Sequence, residues 1–280
     1  MGHGAVGGPP GGQMNGERTA RKLGIELWTA IDGGGIDVCF QPKVEMATGI
    51  VRGAEALVRW YHPRLGRVRP SKLVQVAERT GAIRPLTMWV LQQALAQCRE
   101  WRDQGWDLGV AVNLSARNLV DQRLAADVGR LLDEADVPAS SLTLEITETM
   151  VVSESQRSLE VVQSLVELGV KISCDDFGTG YASLARLRWL PISEIKVDRS
   201  FVARMAEDDT DRAITRSVLA LGRGLGLTTV AEGVEDQSGW DILRAFGCDQ
   251  AQGFLVSRPL AADRFHEWMA RQPPESQPSL

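Results

Sequence analysis

Histidine is scarce in this sequence, which contains only His3, His62 and His266 among its 280 residues. A hydrolase with a binuclear centre of histidines and aspartates needs more histidines, so that class of enzyme is excluded. The three histidines also have no arrangement with serine and aspartate that favours nucleophilic catalysis. His62 precedes Pro63 in a turn rich in glycine and proline, and we expect a structural role for it.

Cysteine and positive charge are also limited. The sequence contains four cysteines without a short paired spacing, which predicts reduced and partly buried thiols: Cys39, Cys98, Cys174 and Cys248. The formal net charge of -5 at pH 7 argues against binding to duplex nucleic acid, which usually requires a basic face. An anionic substrate would therefore need local positive charge or a metal ion to bind.

Long apolar runs are absent, since none reaches the roughly 18 residues of a transmembrane helix, and the N-terminus lacks a basic-then-apolar signal pattern. We therefore expect a cytoplasmic protein without a membrane segment. Residues 1–16 are rich in glycine and proline and are predicted to be a disordered tail or a linker in a longer protein. Residues 272–280 are rich in proline, serine and glutamine and are predicted to be a disordered tail. Residues 17–31 have helical spacing, and residues 17–271 are predicted to form the folded domain.

Apolar or β-branched runs alternate with segments of helical spacing throughout this domain. The runs, which predict strands, are residues 37–43, 51–58, 109–114, 141–146, 170–175, 194–198, 227–232 and 248–254. Eight strands that alternate with helices predict an α/β fold, a TIM-like (β/α)8 barrel. Residues 46–49 are too few for a helical crossover, so the first strand is predicted to be antiparallel to the second.

Six oxygen-bearing side chains stand where predicted strands give way to loops. The carboxyl ends of barrel strands meet at one rim, so we expect these six to lie together: Glu55, Asn113, Glu145, Asp175, Asp176 and Glu232. One such residue is explained by a helix cap, but most of the six precede the next helix by several residues. Two carboxylates about 4 Å apart repel by roughly 4 kcal/mol at an effective dielectric of about 20. The cluster therefore requires cations, and its oxygen ligands suit Mg²⁺ or Mn²⁺.

The adjacent carboxylates Asp175 and Asp176 are the clearest pair, because such a pair can bridge two ions in a phosphoryl-transfer site. Gly178 and Gly180 follow and indicate a mobile loop, although a tight turn explains these glycines equally well. Glu148 is predicted to orient that loop, with an exposed surface position as the alternative.

Two cationic side chains accompany the acidic residues. Lys196 is the one charged residue in the middle of the strand 194–198, and alternation directs its side chain away from its apolar neighbours, into the barrel mouth. There it would be ion-paired and would orient a water molecule, while a plain salt bridge with Asp198 or a site acid is the alternative. Arg59 can contact a phosphate as a fork donor, unless it is a surface arginine stacked on a tryptophan.

The hexapeptide Glu55-Ala56-Leu57-Val58-Arg59-Trp60 resembles the signature of EAL domains, the bacterial phosphodiesterases that open cyclic di-GMP. The resemblance covers roughly residues 19–270 and is not confined to this hexapeptide. Further segments are similar to the successive motifs of the family, in the same order: residues 40–42, 112–115, 144–149, 175–181, 195–198, 231–235 and 252–254.

The resemblance implies a role for each candidate residue. The positions that match metal ligands are Glu55, Asn113, Glu145, Asp175 and Glu232, and the aspartate that serves the second metal is Asp176. Lys196 matches the catalytic lysine that positions or activates the attacking water, beside the catalytic carboxylates Glu55, Asp175 and Asp176. Glu148 matches a loop-stabilising glutamate, in a loop that the family couples to dimerisation. Substrate-binding or supporting positions are matched by Gln41, Arg59, Glu235 and Gln252.

The resemblance therefore implies metal-dependent hydrolysis of cyclic di-GMP to linear pGpG, with two Mg²⁺ or Mn²⁺ ions in the site. Ca²⁺ is predicted to be inhibitory, since its looser geometry spoils a tight site. A homodimer is expected, and an upstream sensor or GGDEF domain would be a partner in a longer protein. Two other functions stay open: a catalytically silent cyclic di-GMP receptor, and a barrel enzyme that acts on a different phosphodiester.

Overall fold

The computed structural model of the chain describes residues 11–148, 150, 156–180 and 190–272, with side chains from residue 21 onward. Backbone contacts divide the chain into a larger unit, residues 38–58 and 87–280, and a smaller unit, residues 1–37 and 59–86. Of the tails predicted at residues 1–16 and 272–280, residues 1–10 and 273–280 lie outside the described residues.

The strands form one sheet that closes into a barrel. Their bounds are β1 Ile36–Glu45, β2 Val51–His62, β3 Gly66–Val68, β4 Gly109–Asn113, β5 Leu142–Thr147, β6 Lys171–Phe177, β7 Glu194–Val197, β8 Thr228–Glu232 and β9 Gln250–Gln252. Neighbouring strands pair in parallel in the order β2, β4, β5, β6, β7, β8 and β9. β1 is antiparallel to β9 and also pairs with β2, which closes an eight-stranded barrel.

Helices follow most strands of the barrel. In the described part of the chain they are α1 Gly11–Gly33, α2 Pro70–Thr80, α3 Ile83–Asp103, α4 Ala116–Leu119, α5 Leu124–Ala135, α6 Gln156–Glu167, α7 Arg199–Val202, α8 Asp209–Gly224, α9 Gln237–Phe246 and α10 Ala262–Met269, with a 3-10 turn at Ala139–Ser141. No helix within these described ranges has the length and apolar character needed to cross a membrane.

The predicted α/β barrel is confirmed, including the antiparallel first strand. All eight predicted strands are present, and β1 and β2 are joined by a short turn in which the Gly49 amide donates to the Glu45 carbonyl oxygen at 2.8 Å. The short strand β3, which pairs with the end of β2, is not among the predicted elements. It has only three residues, too few for a periodic pattern to appear.

Helix α1 begins earlier than the spacing of the sequence predicts. α1 begins at Gly11, so residues 11–16 are helical, although they were expected to belong to a disordered tail. A glycine inside a helix costs roughly 1 kcal/mol relative to alanine, but a helix that has nucleated adds one hydrogen bond per further residue. The glycine-rich turn therefore extends a helix that is nucleated by the sequence after it.

The smaller unit packs α1 against α2 and contains the end of β2 with β3. His62 is buried there, and its Nε2 lies 3.0 Å from Oε2 of Glu26 on α1. The Arg64 guanidinium donates to the other oxygen of Glu26 at 2.6 Å. His62 therefore has the structural role that its turn sequence predicts.

The cysteines have the state that their spacing predicts. All four are free thiols; Cys98, Cys174 and Cys248 are buried, whereas Cys39 is partly exposed. Burial raises the pKa of Cys174 and that of Cys248 to about 12. These two thiols therefore stay protonated at neutral pH, and they act as small apolar groups in the core of the larger unit.

Candidate active site at the carboxyl end of the barrel

Lys196 on β7 lies at the centre of an acidic cluster and has no exposed surface. Its Nζ lies within ion-pair distance of one carboxylate from each of four other strands, at 2.5 Å from Glu232, 2.8 Å from Glu145, 3.2 Å from Asp175 and 3.7 Å from Glu55. Alternation along β7 directs its side chain into the barrel, as predicted. The carboxyl ends of β2, β5, β6 and β8 thus meet around one ammonium group.

The carboxylate of Glu55 on β2 is held by two amide side chains. Asn113 Nδ2 donates to Glu55 Oε1 at 2.7 Å, and Gln252 Nε2 donates to Glu55 Oε2 at 2.7 Å. Gln252 also donates to Gln41 Oε1 at 3.1 Å, and Gln41 in turn donates to the carbonyl oxygen of Ser257. Both oxygens of Glu55 are therefore fixed in direction by side chains of two other strands, β4 and β9.

The adjacent carboxylates of Asp175 and Asp176 reach the same site because β6 is irregular. In a regular strand, successive side chains point to opposite faces. Here the register of β6 against β7 shifts between Cys174 and Phe177, and Asp176 has a φ of 54°, in the left-handed region. Asp175, Asp176 and Glu232 each have one carboxylate oxygen that lies within 4.8 Å of the corresponding oxygens of the other two. The bulge thus converts a sequential pair into a spatial group of ligands.

Burial and mutual repulsion keep protons on part of this cluster. Burial, with the charges of Asp175 and Glu55, raises the pKa of Glu232 to about 8, against the attraction of Lys196. Burial, Asp175 and Asp198 raise the pKa of Asp176 to about 6. Burial, together with the charge of Glu55, also holds the pKa of Glu145 well above its usual value.

At the two groups with the best charge compensation, the pKa shift instead favours the charged form. Burial alone would lower the pKa of Lys196, but the surrounding carboxylates, Glu145 first, raise it well above its usual value. Burial alone would raise the pKa of Glu55, but Lys196 and the two amide donors lower it. Lys196 therefore stays an ammonium ion and Glu55 a carboxylate at neutral pH.

The site has the donor set of a divalent metal centre. Lys196 alone does not balance the carboxylates around it, and Oε1 of buried Glu145 has no hydrogen-bond partner among the described residues. The raised pKa values of Glu232 and Asp176 mark positions where a divalent cation would replace protons. An all-oxygen set of this kind fits Mg²⁺ or Mn²⁺.

Glu148 anchors the chain that follows Asp176. Its Oε2 accepts hydrogen bonds from the backbone amides of Gly178 at 2.7 Å and Gly180 at 3.2 Å, and Glu148 itself is buried. Gly178 has a φ of 99°, and a Cβ on Gly180 would lie only 2.9 Å from Glu148 Oε1. The two glycines are therefore needed for this loop to approach Glu148, whereas residues 181–189 lie outside the described part of the chain.

The remaining predicted residues differ in their exposure. Arg59 belongs to the part of β2 in the smaller unit, where it is buried and so is not a surface arginine. Glu235, which follows the end of β8, is exposed. Lys43 on β1 and Glu194 on β7 are buried ionic residues that were not predicted as site residues. Lys43 could have been found by alternation, since it follows the predicted Gln41 by two residues.

The profile of the EAL domain family matches residues 26–259. This chain therefore belongs to the EAL domain family, as predicted from its motifs. The matched range lies inside the domain predicted at residues 17–271, and it contains all the candidate site residues.

Relatives of known name and structure agree with this assignment. A cyclic di-GMP phosphodiesterase of Pseudomonas aeruginosa is 38% identical over 85% of this chain and 40% of its own length. Cyclic di-GMP phosphodiesterase PdeR of Escherichia coli is 36% identical over 89% of this chain and 38% of its own length. The solved structure of PaMucR phosphodiesterase in a c-di-GMP complex is 41% identical, with a TM-score of 0.83, and covers 87% of this chain and 99% of that chain. This chain thus spans well under half the length of these two curated relatives.

Proposed function

We propose that this chain is a metal-dependent phosphodiesterase that hydrolyses cyclic di-GMP to linear 5′-pGpG and so lowers this second messenger in bacterial signalling. The observation that carries the proposal is the convergence of four strand-end carboxylates on Lys196, in a chain of the EAL family. The names of its relatives, and the cyclic di-GMP in the PaMucR complex, support the choice of substrate.

The proposed metal ligands are Glu55, Asn113, Glu145, Asp175, Asp176 and Glu232. Two Mg²⁺ or Mn²⁺ ions bound there would polarise the phosphoryl oxygens and lower the pKa of the attacking water. The side-chain amides of Asn113 and Gln252 keep Glu55 in place for this role. Because Glu145, Asp175 and Glu232 also contact Lys196, this ammonium group offsets part of their negative charge when metal is absent.

In the proposed reaction, Lys196 donates a hydrogen bond to the water that attacks one phosphorus. The bond from that phosphorus to its 3′-oxygen breaks, and the released hydroxyl and the new 5′-phosphate are the two ends of pGpG. Arg59 is proposed to contact a phosphate, and Gln41, Gln252 and Glu235 to line or support the substrate pocket. Glu148 would keep the loop after Asp176 in the position that the ligand requires.

The assembly and cellular context are proposed on the family resemblance. We expect a homodimer in which the loop held by Glu148 contributes to the interface. A sensor or GGDEF domain upstream of this domain, in a longer protein, would regulate it, and the location would be cytoplasmic.

The experiment is incubation of the purified chain with cyclic di-GMP and Mn²⁺ or Mg²⁺, with and without chelator, followed by chromatography of the products. Chelator-sensitive formation of pGpG is expected, together with its loss in Glu55→Ala and Asp175→Ala. Glu160→Ala is the matched control, because Glu160 is an exposed residue of α6. Intact cyclic di-GMP that is nevertheless bound would favour the silent receptor instead.

A further inference from the structure

Lys43 is a buried cation that the proposed reaction does not use. β1 is antiparallel to the other strands of the barrel, so the chain descends from the catalytic rim as its residue number rises. Gln41, which contacts Gln252, lies near that rim. Lys43 follows two residues later on the same face, roughly 6–7 Å nearer the opposite end of the barrel.

The ammonium group of Lys43 lies between two buried carboxylates. Its Nζ is 3.4 Å from Oε1 of Glu194 and 3.8 Å from Oε1 of Glu145, and the three side chains are at most 10% exposed. The other oxygen of Glu145, Oε2, accepts a hydrogen bond from Lys196 at 2.8 Å. The Glu145 carboxylate is thus contacted by one ammonium group on each of its oxygens.

We propose that Lys43 is a positioning residue for Glu145, and that Glu194 holds Lys43 in place from the side opposite the catalytic rim. This inference rests on the proposed metal-dependent function, in which Glu145 is a ligand. Oε1 of Glu145 has no hydrogen-bond partner among the described residues, so the nearby Lys43 ammonium is the group that limits rotation of the carboxylate on that side.

A cavity next to Lys43 and Glu194, at the end of the barrel opposite the catalytic rim, explains why Lys43 needs Glu194. Its volume is about 150 Å³, and it is lined by Lys43 of β1 and by residues at the start of several parallel strands, among them Glu194 and Lys171. A lysine side chain is long and flexible, so the ammonium group of Lys43 could turn into this polar space. The ion pair with Glu194 holds it at the level of Glu145 instead.

The positive charge of Lys43 and its contact with Glu145 predict opposite changes in metal affinity when Lys43 is replaced. Loss of a positive charge near a cation site reduces repulsion, and this alone would strengthen binding of a divalent metal. Loss of a residue that orients a metal ligand weakens metal binding, typically by 10–100-fold. The direction of the change therefore distinguishes a positioning role from a purely electrostatic one.

The test is titration of the metal-free chain with Mn²⁺ by calorimetry, in the wild type, Lys43→Met and the double variant Lys43→Met/Glu194→Gln. The double variant keeps the net charge of the wild type and leaves neither residue of the pair as an unpaired charge, so it answers the question even where Lys43→Met does not fold. Lys171→Met is the control, since Lys171 lines the same cavity but is exposed. Thermal unfolding of each chain verifies that it is folded.

We expect Mn²⁺ to bind at least tenfold more weakly to both Lys43 variants, with the Lys171→Met control close to wild type. Mn²⁺ binding to the double variant that equals or exceeds wild-type affinity would overturn the inference and leave the proposed function intact. A wild-type chain that binds no Mn²⁺ would contradict the metal-dependent function itself, and this inference with it.

Discussion

The ammonium group of Lys196 lies 2.8 Å from Oε2 of Glu145, and neither side chain has any exposed surface. This ion pair joins β7 to β5, which are separated in the barrel by β6. An ion pair this deep is maintained only if every charged group around it is compensated. The site therefore depends on Lys196 for folding as well as for the proposed chemistry.

Lys196→Met is expected to reduce both stability and activity. The change leaves Glu55, Glu145, Asp175 and Glu232 without their shared cation, and breaking a buried ion pair costs about 3–5 kcal/mol. Hydrolysis of cyclic di-GMP is expected to fall by about a hundredfold or more, because the attacking water loses its donor. Urea unfolding of the metal-free chain and steady-state kinetics measure the two effects.

Lys171→Met is the matched control for this prediction, because Lys171 is an exposed lysine at the start of β6. It is expected to leave stability and turnover close to wild type. A Lys196→Met chain as stable as this control, in the absence of metal, would show that the carboxylates are compensated in another way.

The contact between Glu148 and the glycine loop gives a second prediction. Glu148→Ala removes the acceptor of the Gly178 and Gly180 amides, so the chain after Asp176 loses its anchor. Turnover is expected to fall about 10–100-fold, the usual effect of removing a group that orients a metal ligand. Glu148→Gln keeps one carbonyl oxygen as an acceptor and is expected to lose less.

Kinetics at saturating Mn²⁺ measure this effect, and Glu160→Ala on α6 is the control for loss of an exposed glutamate. Wild-type turnover and KM in Glu148→Ala would mean that the loop keeps its position without this contact.

The barrel is predictable from the sequence because its strands are short apolar runs separated by segments of helical spacing. The antiparallel first strand is predictable as well, since Met46-Ala47-Thr48-Gly49 cannot span a crossover. The start of α1 is not predictable in this way. Its glycines argue against a helix locally, and propagation from the following residues outweighs that preference.

The site was predictable where strand ends and alternation determine direction, as for Lys196. Asp175 and Asp176 were predicted at the same rim, but a regular strand does not explain how both reach it. Alternation places Asp176 on the face opposite Asp175, and the bulge with its positive φ brings both carboxylates to the acidic cluster. Alternation places Lys43 on the same face as Gln41, but its proximity to Glu145 and Glu194 depends on closure of the barrel.

The raised pKa of Glu232 predicts how the stability of the metal-free chain depends on pH. Its pKa rises from 4.5 to about 8 on folding, mainly through burial. Between these values the folded state holds a proton that the unfolded state has lost, so stability falls as pH rises. This loss of stability begins above the pKa of Glu232 in the unfolded chain and is complete once the pH exceeds about 8. Asp176, with a pKa of about 6, adds a loss at lower pH.

Urea unfolding midpoints of the metal-free chain, measured in chelator from about pH 5 to pH 9, test this dependence. Glu232→Gln cannot ionise, so its midpoint is expected to fall less over the same range. Bound Mn²⁺ would replace the protons, and its stabilising effect is therefore expected to increase with pH. Equal slopes for the wild type and Glu232→Gln would contradict the assignment of the pH dependence to Glu232.

Calcium is expected to inhibit hydrolysis in the presence of Mg²⁺. The oxygen cluster around Asp175, Asp176 and Glu232 offers Ca²⁺ acceptable ligands, but Ca²⁺ binds oxygen at about 2.3–2.6 Å in a flexible geometry, whereas Mg²⁺ requires about 2.0–2.1 Å and near-octahedral order. A calcium-loaded site would therefore hold the substrate without aligning the attacking water.

Turnover at fixed Mg²⁺ is expected to fall at least tenfold as the Ca²⁺ concentration is raised, while binding of cyclic di-GMP persists. Sodium chloride at the same ionic strength is the control for screening, and a rate that Ca²⁺ leaves unchanged would mean that the site rejects the larger ion.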